Sequence, residues 1–177
     1  EYACRIKWLI GQMPSFPEIP LDRIEQADQH YADTLRQAGG SQRTALYFRW
    51  KNARRMGRIE LAAPLKEQFQ SMRRDRHSDC IACEVNTMVR ETLYDDDYAA
   101  ALEVGEPVLS GRMRCAEVPH ATFGEMVLPA LLHGDVENAR RYHQKGYSLI
   151  RSNIGHLDVI GRHLGYLAAA GDADRGL

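Results

Sequence analysis

Nowhere in this 177-residue chain does an apolar run approach the ~20 residues a helix needs to span a bilayer. A membrane-spanning helix is therefore excluded. The short apolar stretch KWLIGQM near the start lacks the length and the cleavage pattern of a signal peptide. Cysteine is scarce, with four in the chain, which is too few for a disulfide framework and points to a reducing cytoplasm. Net charge is nearly absent: the formal value of −1 provides no global field toward nucleic acid or an acidic membrane surface. Catalytic signatures are missing too. The sequence holds no Gly-rich phosphate loop, no GxSxG elbow and no HExxH or HxH array. YDDDY, residues 94–98, lacks the spacing of a calcium loop and reads as a capped helix start. No catalytic residue, cofactor-binding residue or cofactor is assigned, and a non-enzymatic role is expected.

The small net charge hides an asymmetry. Residues 1–78 carry 14 Lys/Arg against 9 Asp/Glu, whereas the remainder carries 9 against 15. The basic half contains RWKNARR and MRRDRH, which suit a phosphate-binding face, but such charges more often form the wet side of helices. Nucleic acid is therefore not the expected partner.

Alternating strand patterns are lacking as well, and what replaces them is a repeat. GRIELA at 57, DDYAAA at 96, GDVENA at 134 and GDADRG at 171 share Gly or Asp at the first position and Ala or Gly five residues later. The intervals are 39, 38 and 37 residues. The pattern describes a helix–turn–helix. Gly57, Gly134 and Gly171 suit the left-handed conformation in which a helix ends. Asp96, Asp97, Asp135 and Asp172 favour the start of the next helix through capping and its dipole. The small residue (Ala62, Ala101, Ala139 or Gly176) falls just over a turn into the second helix, where it allows close backbone approach.

Helical periodicity predicts helices at about 2–13, 21–38, 41–56, 58–74, 79–94, 97–110, 116–133, 135–151 and 153–170. PSFPEIP at 14–20 must be an extended connector, and Pro64, Pro107 and Pro129 predict kinks or early terminations. Gly124, Gly146, Gly161 and Gly165 lie inside helical segments, each costing roughly 1 kcal/mol relative to Ala. Tight helix packing is the expected reason. The resulting expectation is an all-α, single helical-repeat domain over 1–177, with pairs at 2–38, 41–74, 79–110, 116–151 and 153–177. The start at Glu1 and the closing GDADRGL, which reads as a helix opening, suggest a piece of a longer protein.

Turns of this form resemble the tetratricopeptide repeat, whose second helix opens with a Gly-Asp-Tyr-Glu-Glu-Ala-Leu-like run. DDYAAAL at 96–102 and GDVENA at 134–139 carry the likeness, which covers roughly residues 41–177. The chain departs from the family in its longer period. Val89 or Val127 stands where the family has a Gly, and Met113 or Arg151 where it has a Pro. The longer string from DCIACEV through RMRCAEVPH is similar to a group of uncharacterised bacterial tetratricopeptide-like proteins. The resemblance implies a cytoplasmic, right-handed α-solenoid in a bacterium and brings no activity with it. Stacked helix pairs of this kind make a concave groove lined by the first helix of each pair. Here those helices are 41–56, 79–94, 116–133 and 153–170, with Tyr47, Arg49, Asn86, Arg90, Glu125 and Arg162 as candidates to grip a ligand.

HSDCIACEVNTM, residues 77–88, is the remaining chemical feature. Ser78 is a plausible N-cap, and Cys80 and Cys83 then share one side of a first helical turn, where a thiol pKa is lowered. Cys115 and His120 fall near the same point of the next unit. Neighbouring first helices pack about 8–10 Å apart, so Cys80, Cys83, Cys115 and His120 are the candidate metal set, a Cys₃His zinc staple. A redox pair and ordinary small core residues are the alternatives, with the structural reading favoured. His133, His143, His156 and His163 read as surface or hydrogen-bonded groups.

The function expected is a scaffold that binds a protein or peptide in its concave groove. The alternatives are a peptide- or ligand-sensing regulatory domain of a larger bacterial protein, and a zinc-stapled or thiol-responsive repeat.

Overall fold

The computed structural model describes residues 2–171, with side chains from residue 5 onward. Among these the secondary structure is entirely helical. The α-helices are α1 (Tyr2–Gln12), α2 (Leu21–Gln37), α3 (Arg43–Arg55), α4 (Ile59–Ser71), α5 (Ile81–Tyr94), α6 (Tyr98–Leu109), α7 (His120–Leu132), α8 (Val136–Ile150) and α9 (Leu157–Ala169). Short 3₁₀ turns occupy Met13–Ser15 and Ile154–His156. The chain divides into two compact units, 1–79 and 80–177.

The repeated turn is physically one structure. Its first position is left-handed at every copy: φ is 71° at Gly57, 57° at Asp96, 79° at Gly134 and 74° at Gly171. Three copies close with the same pair of hydrogen bonds to the end of the preceding helix. Gly57 N–H donates to Arg54 O and Arg58 N–H to Ala53 O; Asp96 and Asp97 donate to Leu93 and Thr92; Gly134 and Asp135 donate to Leu131 and Ala130. These bonds use up carbonyls that the helix end leaves without partners. Asp97 and Asp135 cap the helices that follow, accepting from the N–H groups of Ala100 and Asn138. Asp96 does not: it ends α5 and takes the place that Gly holds elsewhere. Ala62, Ala101 and Ala139 are 1%, 0% and 0% exposed, as close helix approach requires. Asp172 and Gly176 lie outside the described residues.

Local chemistry shifts several helix limits. Starting α7 at 116 is a misreading: Pro119 disfavours helical backbone at Val118, and the helix begins at His120. Likewise α4 ends at Ser71, and the residues up to Asp79 form a loop held by Asp75, whose carboxylate accepts from the N–H groups of Ser41, His77 and Ser78. Ser78 is therefore not the cap of α5. Pro107 and Pro129 stand two and three residues from the ends of α6 and α7. Pro64 does not terminate α4, because its missing N–H falls on the exposed side.

In the first unit α3 packs mainly on α4, while α1 contacts α2 and α3. Its core is aromatic: the rings of Tyr47 and Trp50 lie 5.4 and 5.0 Å from that of Phe69. Buried Lys7 bonds Asp79 at 2.7 Å and the His77 carbonyl at 2.8 Å, tying α1 to the loop after α4. The second unit contains two tight pairs, α5 with α6 and α7 with α8, and α7 also contacts α5 and α9. Its core runs through Val89, Ala101, Met126, Val127, Ala139 and Tyr142. Tyr98 at the start of α6 donates to Asp135 at the start of α8 over 2.9 Å, linking successive copies of the turn. No helix among the described residues is long and apolar enough to cross a membrane.

Candidate functional site

Contact of α7 with α5 on one side and α9 on the other opens a cleft of about 600 Å³ in the second unit. The polar wall is made by Arg90 of α5, Glu125 of α7, and Asp158 and Arg162 of α9; Leu93, Tyr94 and Leu128 supply the apolar side. Arg162 Nη1 donates to Glu125 Oε2 over 2.6 Å. Burial raises the Glu125 carboxyl above the usual carboxylate range, against the pull of Arg162 and Arg90. Nε of Arg90 is buried and makes no hydrogen bond among the described residues. An Arg nitrogen held in this way is a donor short of an acceptor.

Two kinds of glycine occur within the helices of the second unit. At Gly124 an added Cβ would lie 2.6 Å from Val159 Cγ1, so the missing side chain lets α7 approach α9. At Gly146 it would lie 2.8 Å from the rings and side chains of His163 and Phe123. Both fit the packing expected of them. Gly161 and Gly165 do not, and that expectation is corrected here: a Cβ at either would meet nothing within 4 Å. They sit four residues apart on one face of α9, exposed, lining the cleft.

Of the six groove candidates, Arg90, Glu125 and Arg162 converge on this cleft. Tyr47 is 1% exposed within the aromatic core of the first unit and cannot line a groove. Arg49 lines a separate cleft of about 490 Å³ beside Asp28. Asn86 accepts a hydrogen bond from Thr122 at 2.6 Å. Basic side chains of the first unit are also engaged within it: Arg55 of the RWKNARR run donates to the Gly11 carbonyl at 2.6 Å, and Arg58, just beyond that run, pairs with Glu25.

The proposed metal set divides. Sγ atoms of Cys80, Cys83 and Cys115 all lie within 4.8 Å of one another, and Cys83 and Cys115 are 3.5 Å apart. Cys80 is itself the N-cap of α5, its sulfur accepting from the Cys83 N–H at 3.3 Å. Partial desolvation by its neighbours opposes ionisation of the exposed Cys80, yet hydrogen bonds from the Cys83 N–H and from the Cys83 and Cys115 thiols outweigh it and lower this thiol below its ordinary value. Cys83 moves the other way, raised by burial and by sharing its proton with both neighbouring sulfurs. His120 belongs to a different group, in which its ring nitrogen, a Glu117 oxygen and a His156 nitrogen lie within 4.8 Å of one another. Its ring stands 4.4 Å from that of His156, and burial with that neighbour lowers its pKa.

His163 corrects another expectation. It is fully buried, neither ring nitrogen makes a hydrogen bond among the described residues, and burial with the His143 charge lowers its pKa to about 4. It behaves as a neutral core ring, for which the sequence offers only the nearby Gly146 as a signal. No family model, curated protein or solved structure matches the chain.

Proposed function

We propose that the chain is a tetratricopeptide-like α-solenoid, non-enzymatic, and that the α5–α7–α9 cleft binds a peptide segment of a partner protein. The repeat reading is supported by the near-equal spacing of four left-handed turns and by contact of successive first helices, α5 with α7 and α7 with α9. The single observation that carries the binding role is the pair Gly161 and Gly165. Each weakens α9 by about 1 kcal/mol relative to Ala, and no neighbouring atom needs the space. A ligand backbone passing close to the helix does need it.

The chemistry of the walls describes the ligand. Arg90 lines the cleft and the partly exposed Arg162 is shared with Glu125, so a carboxylate or backbone carbonyl docks at that end. Leu93, Tyr94 and Leu128 accept an apolar side chain beside it. The occupant is accordingly a peptide with an acidic group next to an apolar residue. Peptides selected from a random displayed library test this by amide chemical-shift mapping on labelled protein. Binding at the cleft shifts Tyr94, Gly161 and Gly165 most; shifts confined to other faces, or no selectable peptide, would refute the reading.

A further inference from the structure

The thiol cluster is independent of the cleft and of the peptide-binding reading. We propose that Cys80, Cys83 and Cys115 form a tri-thiolate site for Zn²⁺, with water as the fourth ligand, clipping the start of α5 to the α6–α7 connection. Tetrahedral zinc with Zn–S bonds of ~2.3 Å holds its sulfurs about 3.8 Å apart. The three Sγ atoms already lie within 4.8 Å of one another, with Cys83 and Cys115 at 3.5 Å, so coordination needs only small side-chain adjustments. Cys80 is exposed and the other two are half-buried, which leaves one side of the cluster open to water.

The surroundings suit the charge of such a site. Three thiolates and Zn²⁺ leave one net negative charge. It would sit at the N-terminus of α5, where the positive end of the helix dipole and the Cys83 N–H directed at Cys80 Sγ favour it. Binding displaces the thiol protons to solvent and removes the crowding in which the three sulfurs share protons. Ligands come from both sides of α6: Cys80 and Cys83 precede it, and Cys115 follows it in the loop before α7. The metal therefore closes a loop of chain containing the whole α5–α6 pair, and its binding free energy adds to the stability of the unit.

The test is metal analysis of the full chain, purified under reducing conditions without chelator and then titrated with Zn²⁺ and with Co²⁺. The parent is expected to carry about one zinc per chain. It should show near-ultraviolet thiolate-to-cobalt charge transfer with tetrahedral cobalt bands, and melt lower in EDTA. Cys80→Ser keeps an N-cap, since Ser caps helices well, and should lose stoichiometric zinc while remaining folded. Cys115→Ser should do the same, and His120→Gln should keep the metal. Zinc retained by both Cys variants, copper in place of zinc, a Cys83–Cys115 disulfide in reduced protein, or less than about 0.2 zinc per chain after loading would each overturn the assignment.

Discussion

Asp28 and His163 are single residues through which pH acts on the fold, in opposite directions. Burial raises the Asp28 carboxyl from 3.8 to about 6, against the hydrogen bond from Asn52 and the charge of Arg49. Between those values the folded state binds more protons than the unfolded one, so stability falls as pH rises from about 4 to 6 and stays low above it. Asp28→Asn keeps an acceptor for Asn52 and removes the charge. It should stabilise the protein at pH 7 by on the order of 3 kcal/mol, and the advantage should vanish near pH 4. His163, with its pKa lowered to about 4, runs the other way. Its contribution is complete above pH 6.5 and lost as pH falls toward 4, because the unfolded chain takes up a proton the core refuses. His163→Leu should flatten that acid limb. Denaturant unfolding across pH 4–8 measures both; parallel curves for parent and variants would contradict them.

At the scale of elements, the turns were legible and the packing around them was not. Left-handed backbone, capping and helix length are decided by neighbours within a few residues, so Gly57, Gly134 and Asp135 announce themselves. What a helix face meets is decided by residues far along the chain. Gly124 and Gly161 look alike in sequence, yet one faces Val159 and the other faces open space. His120 falls beside Cys115 in the chain but turns to Glu117 and His156. The same locality makes the turns testable. Asp96 holds the left-handed position without being Gly, so Asp96→Val should destabilise by about 1–2 kcal/mol while Asp96→Gly should not. Asp135→Ala removes the α8 cap and the acceptor of Tyr98 together, for a loss of about 1–2 kcal/mol. Ala139→Phe, at a fully buried site, should cost a few kcal/mol by overpacking. Thermal melts check all three; an Ala139 variant that melts like the parent would remove Ala139 from the helix contact.

Over the whole molecule, the described residues are helical throughout, as the sequence anticipated, and the proposed repeat architecture rests on the near-evenly spaced turns and the first-helix contacts within the second unit. Of the six residues it offered for a groove, Arg90, Glu125 and Arg162 line this cleft. It misplaced Tyr47, since an aromatic residue on a first helix suits a core as well as a groove.

Ligand binding at Gly161 and Gly165 is the central claim, and paired measurements on one variant test it most directly. Gly161→Ala/Gly165→Ala should raise the stability of the protein by about 1–2 kcal/mol, since two helix glycines become Ala with no clash. By titration calorimetry the same variant should bind a library-selected peptide at least ~10-fold more weakly, about 1.4 kcal/mol. A stabilised variant with undiminished affinity would contradict the account.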